Sequence, residues 1–466
     1  MSTPRALIKN PTATFGITWA GQFVSLLGSE LSAFVVGAWI YEETRSTTQF
    51  ALLLTLHSLP VVVLSPFVGA LVDRWDRRRA MLLSDLGSGF GTLIMWLMFY
   101  LSAKGVWTMR PWYLFAPTLV IACFDSFRWP AFTATTSLLV PKKHLGRANG
   151  MLTLASGVGQ IGAPLLAGAL LMHATVTDIV FYDLLSFGAA VGTLLLVRFP
   201  KPPESEEGRQ ARGSLWKEAA AGWRFITARP GLKLLLAWMG SFLVVQQLVM
   251  LLMTPLVLSF ATIAQLGVLR AISGVGIILG GLAITAWGGP RRRIPLVLGG
   301  CAAAGAVLFA AALPFNLTIM TAASAIFLFI TPFVSTSSQA IWQVKVVPDM
   351  QGRVFAVRRV VGTLSGPLAG VLAGPLADGL FEPWLKPDGA LAGSVGRVFG
   401  TGPGRGIAFF FVLLGAGMIL STALAYTSAR LRNVESELPD ALPEPKSPSP
   451  ETSEPSSAPD VKARAG

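Results

Sequence analysis

The sequence predicts an all-α integral membrane protein with twelve transmembrane helices in two six-helix halves. Three observations carry this expectation. Of 466 residues, 53% are hydrophobic and only 13% charged, where a soluble chain carries roughly 25% charged residues. Apolar runs of about 20 residues, long enough to cross a hydrocarbon core, recur from end to end. Basic residues crowd into every second connection between those runs, the distribution that fixes orientation in a membrane with basic loops on the cytoplasmic side.

In chain order, the runs lie near residues 15–41, 49–72, 80–103, 112–137, 149–173 and 178–199 in the first half. Those of the second half lie near 232–258, 264–287, 294–314, 317–346, 353–379 and 406–430. A soluble helical protein would give each helix one polar face, whereas "GIAFFFVLLGAGMILSTALAY" is apolar all round. The first run follows the polar, basic stretch "MSTPRALIKNPTATFG" and is too long for a signal-peptide core, so it is expected to stay in the mature protein.

Residues 200–231 are polar, and within them "SLWKEAAAGWRFI" has the pattern of an amphipathic helix lying on the inner membrane face. The tail is rich in Pro, Ser and Glu and is expected to be disordered. The expected organisation is therefore a first half over 1–199, a linker over 200–231, a second half over 232–430 and a tail over 431–466. Arg45, Lys104, Arg110, Lys386, Arg397 and Arg405 are the basic residues of the outside loops; most others fall in "RWDRRR", "PKKHLGR", the linker, "PDMQGR" and similar inside segments. Both termini are thus expected on the cytoplasmic side of a multi-pass protein of the cell inner membrane.

The net charge of +13 comes from these short loops between apolar runs. It is topological and excludes a nucleic-acid footprint, which would cluster on a soluble face. Cys123 and Cys301 fall inside apolar runs and define no redox compartment. The sequence has no Gly-x-x-x-x-Gly-Lys-Ser/Thr phosphate loop, no His/Cys/Glu cluster with metal spacing and no Ser/His/Asp set. ATP-driven, metal-dependent and enzymatic functions are therefore not expected, nor is a cofactor.

The two halves repeat one another. "VPKKHLGRANGMLTLASGVGQIGAPLLAG" and "VPDMQGRVFAVRRVVGTLSGPLAG" share a Val-Pro turn, a Gly-Arg and a glycine-rich helix, with Gly159 and Pro164 matching Gly362 and Pro367 at one offset. "GLAITAWGGPRRR" echoes "GALVDRWDRRR", with Thr285 in place of Asp73. Two such halves entering from the same side are parallel repeats, the plan of rocking transporters with a site near the bilayer midplane.

On these motifs the chain resembles the major facilitator superfamily over residues 15–430. "GALVDRWDRRR" is similar to the family signature between spans 2 and 3, with Gly69, Asp73, Arg74, Arg77 and Arg78 at matching places; Asp76 stands where the family has glycine. Span 5 is similar to the antiporter signature through Gly150, Gly159, Ala163, Pro164 and Gly168, and Gly362, Gly366, Pro367 and Gly370 repeat it in span 11. "WAGQFVSLLGSELSAFVVG", "FRWPAFTATTSLLVP" and "RANGM" resemble the macrolide-efflux and enterobactin-exporter branch.

The resemblance implies a monomeric secondary transporter that exports an amphipathic small molecule in exchange for protons. An importer, an uncoupled facilitator and a membrane sensor or scaffold remain the alternatives. It also implies that Asp73 faces the N-terminus of span 11 near Gly352–Phe355 as part of a cytoplasmic gate, with the arginines paired to carboxylates. An acid at the C-terminal end of a helix is otherwise unfavourable.

Ionisable groups within spans are costly and therefore candidates for function. Glu30 in span 1 is the expected proton carrier, because spans 1, 4, 7 and 10 line the cavity in families of this kind, and Asp125 in span 4 is the second. Asp125 and Arg128 stand three apart on one helical face, where they can simply pair. His57, Asp183 and Arg270 complete the set, the first two with a structural role expected. Gln22, Arg128, Gln246, Gln247, Gln339, Trp342 and Gln343 are polar candidates for a substrate cavity, each with helix bridging as its alternative.

Overall fold

The computed structural model describes residues 11–140, 145–197, 199, 215–290, 292–312 and 316–437. Within those helices some side chains, including those of residues 69–74, lie outside the described set. The described chain is helical almost throughout, and nine of its helices are long and apolar enough to cross a membrane. The first half comprises α1 (Pro11–Thr44), α2 (Thr47–Arg74), α3 (Arg77–Ala103), α4 (Phe115–Asp125), α5 (Arg128–Leu139), α6 (Leu145–Leu170) and α7 (Val176–Leu196). After α8 (Leu215–Thr227), the second half comprises α9 (Pro230–Leu258), α10 (Ile263–Trp287), α11 (Ile294–Ala312), α12 (Leu317–Lys345), α13 (Pro348–Leu376) and α14 (Arg405–Thr427).

The three expected spans outside those nine are α6, α11 and the broken pair α4/α5. The break in span 4 has a covalent cause. Pro130 has no N–H to donate to the carbonyl of Ser126, and its ring crowds the preceding turn. Phe127 N accordingly bonds Phe124 O at 3.1 Å in a tighter, three-residue turn. Asp125 and Arg128 sit on either side of this break.

Polar caps set the other boundaries. Thr175 with Asp178 and Thr262 with Gln265 form capping boxes at the starts of α7 and α10. Asp76 caps α3, accepting from the backbone N–H of Arg78 at 2.9 Å and of Arg79 at 3.3 Å. Its φ of −60° is one that any residue adopts, so the departure from the family's glycine leaves the turn intact.

Two expectations are refined at the edges of the second half. The linker helix is present as α8, but it packs against protein as well as facing outward. Ile226 is buried, Gly222 lies against the backbone of Arg353 in α13, and Trp223 is exposed. The tail was expected to be disordered from residue 431, yet Leu431 and Val434 are buried. Glu435 accepts hydrogen bonds from the backbone N–H of Arg293 and Ile294, both at 2.9 Å to its nearer oxygen, and so caps α11. Lys345 donates to the backbone carbonyl of Glu435. Residues 438–466 lie outside the described residues.

The two halves meet along two seams. In one, α6 lies on α10: Gly267 abuts the Pro164 carbonyl, and a Cβ at Gly168 would stand 3.0 Å from Cα of Ala264. In the other, α13 lies on α2, where a Cβ at Gly374 would stand 2.5 Å from Cα of Thr48. Only glycine admits backbones this close. The repeated glycine-rich helices thus each cross to the opposite half, as two parallel repeats require. All these contacts gather where α2 and α10 begin, at the end of the bundle opposite the loop between α2 and α3.

Candidate functional site

A cavity of about 300 Å³ lies between the halves. Its walls come from α1, α2 and α6 on one side and α9, α10 and α12 on the other. Phe34, Phe50, Leu54, Ile161, Ile277 and Leu328 make it largely apolar, and its charged lining groups are Glu30 and Arg270. A second cavity of about 220 Å³ shares Leu54 and Met250 with it and extends toward Gln247 and Gly366.

Of the expected cavity spans, 1, 7 and 10 contribute lining residues here. Span 4 contributes none; spans 2, 5 and 8 do.

Glu30 has no hydrogen bond or ion pair among the described residues. It projects beside α6, where a Cβ at Gly159 would come within 3.4 Å of Glu30 Cγ. The antiporter-like glycine thus lies beside Glu30 at ordinary van der Waals distance.

The second proton candidate is placed differently. Arg128 Nε stands 2.9 Å from Asp125 Oδ1, so the pairing alternative is the observed one. Arg128 also reaches Asp85 Oδ1 at 4.0 Å, and its guanidinium lies 5.4 Å from the Phe187 ring centroid. Gln22 Nε2 donates to Asp85 Oδ2 at 2.6 Å. Arg128, Asp85 and Gln22 form a polar knot inside the first half, with Asp85 1% and Gln22 3% exposed and Asp125 half-buried at its edge. Asp183 is satisfied separately, accepting from Ser29 and Ser186 hydroxyls at 3.3 Å each.

The remaining cavity candidates divide in the same way. Gln246 reaches the Thr331 hydroxyl at 3.5 Å, a bridge between α9 and α12. Gln247 faces the second cavity. Gln339 accepts from Arg358 Nη1 at 2.6 Å, and Arg358 lies 4.9 Å from the ring of buried Trp342. Gln343 is exposed. None of Gln22, Gln339, Trp342 and Gln343 lines the central cavity.

The gate expectation is reached only in part. The side-chain surroundings of Gly69, Asp73, Arg74 and Gly352 lie outside the described residues, as do those of Gly150. Arg78 departs from the expected pairing with a carboxylate. Its Nε donates to Leu194 O at 2.7 Å and its Nη2 to Leu195 O at 3.0 Å. A cation thus closes the negative end of α7 within its own half.

Two participants were missed. Asp85 hides in "LLSDLGSGFG", whose serines and glycines read as packing residues; the rule that flags any acid inside a span would have found it. Arg358 lies in "RVFAVRRVVG", where it merges with the basic loop before it.

The sequence matches the profile described as Major Facilitator Superfamily over residues 18–370. The chain belongs to that superfamily. It is a multi-pass membrane transporter, and not an enzyme. Among its relatives, Macrolide efflux protein A of Streptococcus pyogenes is 25% identical over 366 residues, covering 76% of this chain and 87% of the relative. Enterobactin exporter EntS of Citrobacter koseri is 27% identical over 284 residues, covering 59% and 64%. Among solved structures, a bacterial homologue of the lysosomal transporter Spinster, inward-facing and unoccupied, superposes with a TM-score of 0.66 at 16% identity, covering 94% and 98% of the two chains. The nucleoside transporter NupG gives 0.63 at 13% identity, covering 89% and 99%. These superpositions establish the fold of this superfamily member.

Proposed function

We propose that this transporter exports an amphipathic small molecule across the plasma membrane by proton antiport, working as a monomer with both termini cytoplasmic. The observation that carries the reading is the apolar cavity between the halves with Glu30, unpartnered among the described residues, in its wall. The similarity to efflux proteins supports the direction of transport. A carboxylate that exchanges a proton for cargo in one pocket couples the two flows without any further device.

Cells expressing the transporter are expected to extrude members of a panel of hydrophobic dyes and antibiotics. A protonophore should return the retained dye to the level of cells lacking the protein. Extrusion that survives the protonophore would sink the proton-driven reading, and net uptake would favour an importer.

Alternating access requires the seams to part. Asp378, just past α13, reaches across to the start of α2 and accepts from Ser46 Oγ at 2.9 Å, Thr47 N at 3.1 Å and Thr48 N at 2.7 Å. It acts as a helix N-cap supplied by the opposite half. Losing an N-cap costs about 1 kcal/mol, a factor of roughly five in an equilibrium. Asp378→Ala is therefore expected to favour the parted seam. Maleimide labelling of a cysteine placed at Thr47, which is buried in the closed seam, in a background lacking Cys123 and Cys301, should quicken severalfold; an unchanged rate would remove Asp378 from the latch.

A further inference from the structure

Arg270 is the cation of the central cavity, and no carboxylate among the described residues pairs with it. Its Nη2 donates to Met250 O at 2.8 Å and to Thr254 Oγ1 at 3.0 Å, which tethers the guanidinium to α9. Among the described residues Nη1 meets only the Met250 sulfur, at 3.8 Å, a weak acceptor. Among the described residues no carboxylate lies within ion-pair distance of it. The contrast with Arg128 is direct, since that side chain is held by Asp125 and Asp85.

A guanidinium in a membrane-spanning helix is unfavourable unless it is paired, faces water or serves a pathway. Neutral partners fix one end of Arg270 and leave its charge uncompensated beside an apolar chamber.

We infer that Arg270 is the anchor for an anionic group on the cargo, so that the transported molecule carries a carboxylate or similar compact oxyanion on an apolar body. This assignment rests on the reading of the central cavity as the substrate site. The anion pairs with Nε and Nη1, donors with no oxygen acceptor among the described residues, while the apolar body lies against Phe34, Phe50 and Leu328. Arginine suits the role because it stays charged at any relevant pH and offers several donors to an oxyanion.

Binding in lipid nanodiscs, without any gradient, tests this apart from coupling. The probes are dansyl-leucine and its uncharged methyl ester, which share one apolar body. The native full-length protein is expected to bind the acid about tenfold more tightly than the ester, as a charge-assisted contact provides. Arg270→Gln should bring the ratio to about one while ester binding persists, and Arg270→Lys should retain part of the preference. Equal binding of acid and ester by the native protein, or absence of acid binding, overturns the inference. So does a preference that survives Arg270→Gln, or a loss of both ligands together, which would make Arg270 a packing residue. If efflux persists under a protonophore while the acid preference holds, only the proton coupling has failed.

Discussion

Replacing Glu30 by glutamine is expected to abolish gradient-driven accumulation while leaving passive exchange of cargo. One pH unit across the membrane is worth about 1.4 kcal/mol, which supports roughly tenfold accumulation for a one-for-one exchange. An amide keeps the shape and polarity of the side chain but carries no exchangeable proton at this site. In proteoliposomes, the accumulation ratio should therefore fall from about tenfold per pH unit to about one, with counterflow of labelled against unlabelled cargo preserved. The split between the two assays is the informative part. Loss of both would mean that Glu30 shapes the cavity, and retention of both would place the coupling acid elsewhere. Asp125 is a poor substitute, because its carboxylate is already held 2.9 Å from Arg128, and releasing that pair has its own cost.

How much of this was legible beforehand differs by the range of the interaction. Span positions were readable to within a few residues because hydrophobic length is a property of the local sequence. The broken fourth span was readable in principle from Pro130, but the apolar run on both sides masked it. The glycine repeat marks α6 and α13 as a pair. It could not show that each one crosses to the other half, because that depends on Ala264 and Thr48, far away in sequence.

Polar residues were hardest. Whether Gln22 faces cargo or holds Asp85 depends on which way α1 is rotated, and a helix apolar on nearly every side carries little periodic signal to fix that rotation. Asp378 was invisible for a similar reason, since its role as a cap exists only when α2 of the other half is brought against it.

The largest effect on folding is expected from Arg128→Met. Arg128 stands between Asp125 and Asp85, and Asp85 is almost wholly buried, with Gln22 as its hydrogen-bond donor. Methionine preserves much of the side-chain volume but removes the positive charge, which leaves a buried carboxylate facing apolar surroundings. Breaking a buried pair from one side costs about 3–5 kcal/mol, a large share of the 5–15 kcal/mol that typically holds a fold together. Detergent extracts of the variant should show little monodisperse protein and a sharply lowered melting temperature in fluorescence-detected size exclusion. The rescue identifies the cause: Arg128→Met combined with Asp85→Asn removes the orphaned charge and keeps a partner for Gln22. Most of the lost stability should return in the double variant, because neutralising both members of a buried pair is far less costly than neutralising one. A single Arg128→Met variant as stable as the native protein would show that Asp85 is not held by this cation. Failure of the double variant to recover would shift the role of Arg128 to its packing against Phe187.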